Sequence, residues 1–251
     1  MNDTDPILAK VRKLLALAED PAATQHEAES YTAKATRLIA DYGIDQALLA
    51  AQAPAEDPVG DRVVVVPAPY AADKADLLAS VAVRLRCRAV RRTGWVDEGR
   101  ELSLHLFGHR SDLERTELLY TSLLVQATHG LTRVQVPRHE HKAAFRRSWL
   151  AGFRMAVGDR LDEAERRAHA ESESRFSARG TSAALVLADR SVEVATALER
   201  AYPSLGTARP RQLSGSGLAD GWTAGRRADL GGARLDGGRR SLPGRAGGRR
   251  T

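Results

Sequence analysis

PILAKVRKLLALAED (residues 6–20) and HEAESYTAKATRLIADYGID (residues 26–45) set the reading of this chain. On a helical wheel Ile7, Leu8, Val11, Leu14, Leu15 and Ala18 fall within one arc of about 120°, while Lys10, Arg12 and Lys13 point elsewhere, so the first stretch is an amphipathic helix with a basic flank. Asp5 supplies a capping acceptor just before Pro6, and a proline in the first turn lacks only an N–H that has no intrahelical partner anyway. The pattern predicts a helix from Pro6 to about Glu19, stopped by Pro21. Thr24 and Glu27 stand at capping-box spacing and open a second helix reaching Tyr42, with Gly43 as the residue that ends it. Its apolar face is Ala28, Tyr31, Ala35, Leu38, Ile39 and Tyr42. The two stripes match in length and predict an antiparallel hairpin, closed by a short third helix that Asp45 caps and that runs through Leu48 and Leu49.

The same residues carry a resemblance. The K-L-L-A-L-A core at 13–18, the E-A-E at 27–29 and the Y-G-I exit at 42–44 resemble DUF2786, a short domain of bacterial and phage proteins catalogued as a domain of unknown function, over about Pro6 to Leu49. The resemblance brings no activity, ligand or cofactor with it. It implies that the rest of the chain is similar to the uncharacterised domain that usually follows.

Beyond the hairpin, Ala51 to Pro58 is rich in Ala and Pro and reads as a linker. Arg62–Val66 is a β-branched run stopped by Pro67 and Pro69, as expected of a strand at a sheet edge. A helix over about Ala72–Leu85 follows, then a hairpin of Cys87–Arg92 and Glu101–Gly108, whose second strand alternates Leu102, Leu104 and Leu106 with polar or aromatic residues. Ser111 and Glu114 form a second capping box, predicting a helix to about His129 that Gly130 ends. A long helix starts near Lys142 with Phe145, Trp149, Phe153, Ala156 and Val157 on its buried face; Gly152 on it lets a neighbouring backbone approach. Ala183–Leu187 and Asp189–Ala201 read either as strand then helix or as one helix.

The fold class is therefore α+β, predominantly α-helical: a helical module over 1–53, a linker over 54–61, an α+β domain over 62–202, and a Gly/Arg-rich tail over 203–251. The tail has twelve glycines in 49 residues and little apolar periodicity, which predicts disorder because too little surface can be buried to offset the ordering entropy. Trp222, in GWTAGRRADLGG, is the one residue of the tail expected to dock back on the body.

Composition narrows the functional classes. The net charge of +6 sits in the tail, where ten Arg face three acids, and residues 1–202 carry −1. Arginine makes up 33 of the 38 basic residues, a bias that GC-rich coding explains as readily as phosphate contact. A single cysteine, Cys87, excludes an internal disulfide and a multi-cysteine zinc site and fits a reducing, cytoplasmic setting. No apolar run is long enough for a membrane span, the acidic Met1–Asp5 is unlike a signal peptide, and no phosphate-binding glycine loop or cofactor motif is present, so no cofactor is indicated.

Three readings remain. The leading one is a non-catalytic binding protein with a salt-dependent, sequence-tolerant association with nucleic acid or a nucleoprotein. Its candidate residues are Lys10, Lys13, Lys34 and Arg37 on the helical module and Arg226, Arg227, Arg239 and Arg240 in the tail. The second is a metal-assisted enzyme, with His105, His109, His139 and His141 as candidate ligands. The third is a protein-interaction adaptor. Cys87, flanked by arginines, is a nucleophile only if its thiolate is accessible; on a strand beside an apolar helix it reads as a small core residue.

Overall fold

A computed structural model describes residues 6–19, 25–51, 54–96, 99–177, 182–206 and 211–228. Helices α1 (Pro6–Glu19) and α2 (Gln25–Ala50) form the expected hairpin, with Leu8, Val11 and Leu14 of the first and Ala35, Ile39 and Tyr42 of the second buried. The caps assigned to Asp5 and Thr24 lie outside the described residues. Helix α2 does not stop at Gly43 but continues through it, absorbing the separate third helix. The glycine is there for close packing: a Cβ at that position would lie 2.3 Å from Nη1 of Arg115. Ile44, Ala47 and Leu48 extend the buried face beyond it.

A short 3-10 turn, Pro54–Glu56, leads into β1 (Val59–Val65), α3 (Ala71–Arg84), β2 (Arg88–Val96) and β3 (Gly99–His109). The strands form one antiparallel sheet in the order β1-β3-β2, so β1 is an edge strand, as its trailing prolines indicated. The β2–β3 hairpin is in register from Arg88 opposite Phe107 to Val96 opposite Gly99. Leu104 and Leu106 on one face of the sheet join a core with Leu78 and Val81 of α3 and Val11, Leu14 and Ile39 of the hairpin. His105 and His109 on the other face meet the helix that follows later in the chain.

That helical part comprises α4 (Arg110–Arg133), α5 (Lys142–Ser177), α6 (Ala183–Ala201) and α7 (Leu218–Arg227). No helix among the described residues is long and apolar enough to cross a membrane. The start of α4 differs from the expected capping box. Ser111 lies inside the first turn, and its backbone N–H and hydroxyl both donate to Asp57, at 2.8 and 2.7 Å, so a carboxylate 54 residues upstream caps the helix. A local motif was read where the acceptor comes from tertiary packing. Gly130 is likewise not a terminator: the Trp149 ring fills the space where its side chain would stand, a Cβ there coming within 2.5 Å of the ring. Between the two open readings of the next segment the structure selects a single helix, α6, whose N-cap Ser182 hydroxyl accepts the Leu185 N–H at 3.3 Å.

Part of the segment expected to be disordered is an ordered helix. Gly217, Gly221 and Gly225 recur every four residues, which places them on one face of α7, and that face lies directly on α5. A Cβ at Gly221 would stand 1.8 Å from the Trp149 carbonyl oxygen, one at Gly225 would stand 2.5 Å from that of Phe153, and one at Gly152 would stand 2.0 Å from that of Leu218. Gly152 thus serves as its sequence position suggested. Glycine abundance was read as entropy, whereas glycine spacing made a docking face.

Candidate nucleic-acid interface

The interior holds a set of charges that neutralise one another. Arg86, Arg115 and Arg190 meet Asp57, Asp112 and Glu165 where α2, α4, α5 and α6 converge with the end of α3. Arg115, fully buried, donates from Nε to Asp112 at 3.0 Å, from Nη1 to Glu165 at 2.9 Å and to the Ile39 carbonyl at 3.3 Å, and from Nη2 to the Leu85 carbonyl at 3.3 Å. Burial disfavours its charge, but Glu165 and Asp112 outweigh that and hold it firmly protonated. Burial, with Arg115 as the next contributor, pushes Arg86 the other way. Arg190 of α6 reaches Asp57 at 2.7 Å. Burial raises the Asp57 carboxyl, but the Ser111 and Arg190 hydrogen bonds more than offset it and leave it below its ordinary value.

The four histidines do not form one site. His105 is bonded on both ring nitrogens, at 2.8 Å to Tyr202 at the end of α6 and at 2.8 Å to Asp61 of β1. Its ring also lies against Phe107. His109 is buried, donates from Nδ1 to the Asp57 carbonyl at 2.8 Å, and has Nε2 3.6 Å from Glu193. His139 and His141 are exposed in the α4–α5 connection. Among the described residues no three His, Cys, Asp or Glu side chains converge in a way that could hold a metal ion.

Cys87 is a core residue. It is buried, its Sγ lies 3.6 Å from the Thr116 hydroxyl, and burial, with Asp112 adding to it, pushes its thiol up to about 12. Native protein at neutral pH should therefore remain unmodified by iodoacetamide over a period in which the urea-denatured chain reacts to completion. Rapid modification of the folded protein would show instead that the thiol is accessible.

With the interior neutralised, the surface cations stand out by what they lack. Lys10 and Lys13 on α1 and Lys34 on α2 are exposed, and none makes an ion pair among the described residues. Arg37 is exposed as well but is committed to Asp41 at 3.6 Å and Glu171 at 3.4 Å. Arg226 and Arg227 are exposed in the last turn of α7, where they also suit the negative end of the helix dipole. Arg239 and Arg240 lie outside the described residues. A cleft of about 810 Å³ beside α1 mixes both signs: Arg12, Arg110, Asp57 and Glu114 are among the residues that line it, and Arg62 is bonded to Glu117.

A further group was missed from the sequence. Between Glu117 and Asp159 there are six cations, Arg133, Arg138, Lys142, Arg146, Arg147 and Arg154, and a single acid, Glu140. The structure gathers most of them at the corner where α4 ends and α5 begins. Arg146 donates to the Leu131 carbonyl at 3.4 Å, Trp149 fills the space beside Gly130, and a turn closes from the Glu140 N–H to the Pro137 carbonyl at 3.0 Å. Arg133, Arg138, Lys142 and Arg147 remain exposed there, and Arg154 is half-buried. The one acid is occupied, accepting the Ser216 N–H at 2.6 Å and the Ser216 hydroxyl at 2.5 Å, bonds that hold its carboxyl below the ordinary value. The legible signal is the shortage of acids between Glu117 and Asp159, which the near-neutral charge of residues 1–202 conceals.

Residues 7–46, the α1–α2 hairpin short of its last turn, match the family model described as Protein of unknown function (DUF2786). No curated protein and no solved structure matches the chain.

Proposed function

We propose that this protein binds nucleic acid without catalysis, through phosphate contacts that tolerate any sequence. One observation carries the reading: the buried charges are paired within the fold, whereas exposed cations such as Lys10, Lys13, Lys34, Arg226 and Arg227 face solvent without an ionic partner among the described residues. Exposed, unpaired cations cost the fold little and give a polyanion a set of point charges, whose affinity comes from released counterions. Lysine on α1 and α2 suits this role, being a mobile point charge with no demand for planar geometry.

The test is fluorescence anisotropy with short duplex DNA and single-stranded RNA across a salt series, on the full chain and on a chain ending at Ala228, which keeps α7 on α5. Binding should weaken steeply with salt, by about 0.9 in log–log slope for each duplex phosphate neutralised, and should differ little between unrelated sequences. Affinity that is flat in salt, or that discriminates strongly between sequences, would refute the reading.

A further inference from the structure

The two groups of exposed cations are not equivalent. The hairpin, residues 6–50, carries five basic residues and six acids, while residues 118–158 carry six basic residues and one acid. Arg37 on the hairpin is already neutralised by Asp41 and Glu171. Glu140, the single acid of residues 118–158, is bonded to Ser216, and the start of the 36-residue helix α5 adds its own positive potential. Residues 118–158 therefore carry a larger excess of cations over acids than the hairpin does.

The shape of the α4–α5 corner also speaks to the ligand. Arg133, Arg138 and Lys142 follow one another from the end of α4 through the connection to the start of α5, and Arg147 and Arg154 continue along α5. Arg147 and Arg154 are seven residues apart on α5, which puts them on nearly the same line of the helix and about 10 Å apart along its axis. A row of that kind suits a repeating chain of phosphates. Recognition of a single strand relies on exposed aromatic rings for base stacking, and Tyr120, Phe145, Trp149 and Phe153 of these two helices are all buried.

We infer that the α4–α5 corner is the principal contact of this chain with the phosphate backbone of double-stranded nucleic acid, with the hairpin lysines secondary. The inference rests on the nucleic-acid reading above and assigns that binding to a surface outside the DUF2786-like segment. Arg138, Lys142 and Arg147 are the residues to test, because all three are exposed and make no bond among the described residues.

The experiment compares three full-length proteins by anisotropy on duplex DNA and on a single strand of equal length: wild type, the triple variant Arg138→Ala, Lys142→Ala and Arg147→Ala, and the triple variant Lys10→Ala, Lys13→Ala and Lys34→Ala. Circular dichroism melting confirms that each is folded. The corner variant should bind the duplex about ten- to a hundredfold more weakly at low salt, with a log–log salt slope lower by about two to three, and the hairpin variant should show a smaller loss, about three- to tenfold. A variant with Arg138→Lys and Arg147→Lys should keep wild-type duplex binding, which a structural role for the guanidinium groups would not allow. Duplex binding by the corner variant within about threefold of wild type would overturn the inference, and loss in the hairpin variant would then leave the general reading standing on the other surface. A preference for the single strand would also overturn it. Wild-type protein that binds neither nucleic acid, or binds only phosphatidylserine vesicles, would overturn both.

Discussion

Arg115→Met should destabilise the protein by about 3–5 kcal/mol, seen as a fall in melting temperature of roughly 6–20 °C. The side chain is fully buried and donates four hydrogen bonds, to Asp112, Glu165, Ile39 and Leu85, so one substitution uncouples α2, the end of α3 and α5 from α4. Methionine fills much of the volume but leaves Asp112 and Glu165 with less opposing charge in a dry site, and an uncompensated buried charge is what makes such a break costly. Arg115→Lys should recover only part of the loss, since an ammonium cannot span four acceptors in the plane of a guanidinium. Urea denaturation gives the comparison, with the exposed Arg147→Ala as a reference expected within about 0.5 kcal/mol of wild type. A cost below about 1 kcal/mol for Arg115→Met would mean that the network contributes little to holding these helices together.

The second large effect is expected at the α5–α7 contact. Gly221→Val places a Cβ 1.8 Å from a backbone carbonyl oxygen of α5, and no side chain can rotate to relieve it. Overpacking in a core commonly costs about 1–3 kcal/mol, and a backbone clash lies at or above the top of that range because the alternative to strain is detachment of α7. Detachment would uncover Phe145, Trp149 and Phe153, so the variant should show faster proteolysis within 211–228 and stronger quenching of tryptophan fluorescence by iodide. Gly94→Ala is the matched comparison, since nothing lies within 4 Å of a Cβ there. Wild-type protease resistance in Gly221→Val would contradict the close packing of the two helices.

Where apolar residues repeat with the period of a helix or strand, the sequence was a sufficient guide. Leu8, Val11 and Leu14, the Leu102–Leu104–Leu106 alternation, and the Phe145–Trp149–Phe153 stripe all fell where their spacing put them, because a repeating pattern averages many small burial energies into one preference. Single punctuation residues were a poor guide. Gly43 and Gly130 resemble helix ends, yet both lie inside helices beside a bulky partner, Arg115 in one case and Trp149 in the other. Ser111 resembles the start of a capping box, yet its acceptor is Asp57.

By itself, then, the sequence determined the elements and their polarity: an amphipathic hairpin with a basic flank, a β1 edge ended by prolines, a long helix with an aromatic face, and a stretch from Glu117 to Asp159 almost free of acids. Only the tertiary structure decided which charges are spent and which remain. Arg115 and Arg147 are alike as letters, but one is enclosed by two carboxylates and two carbonyls and the other faces solvent at a helix corner. That difference arises from contacts between residues tens of positions apart, since the low dielectric of the interior fixes a charge to whichever partner the packing brings within reach, and no local pattern records the pairing.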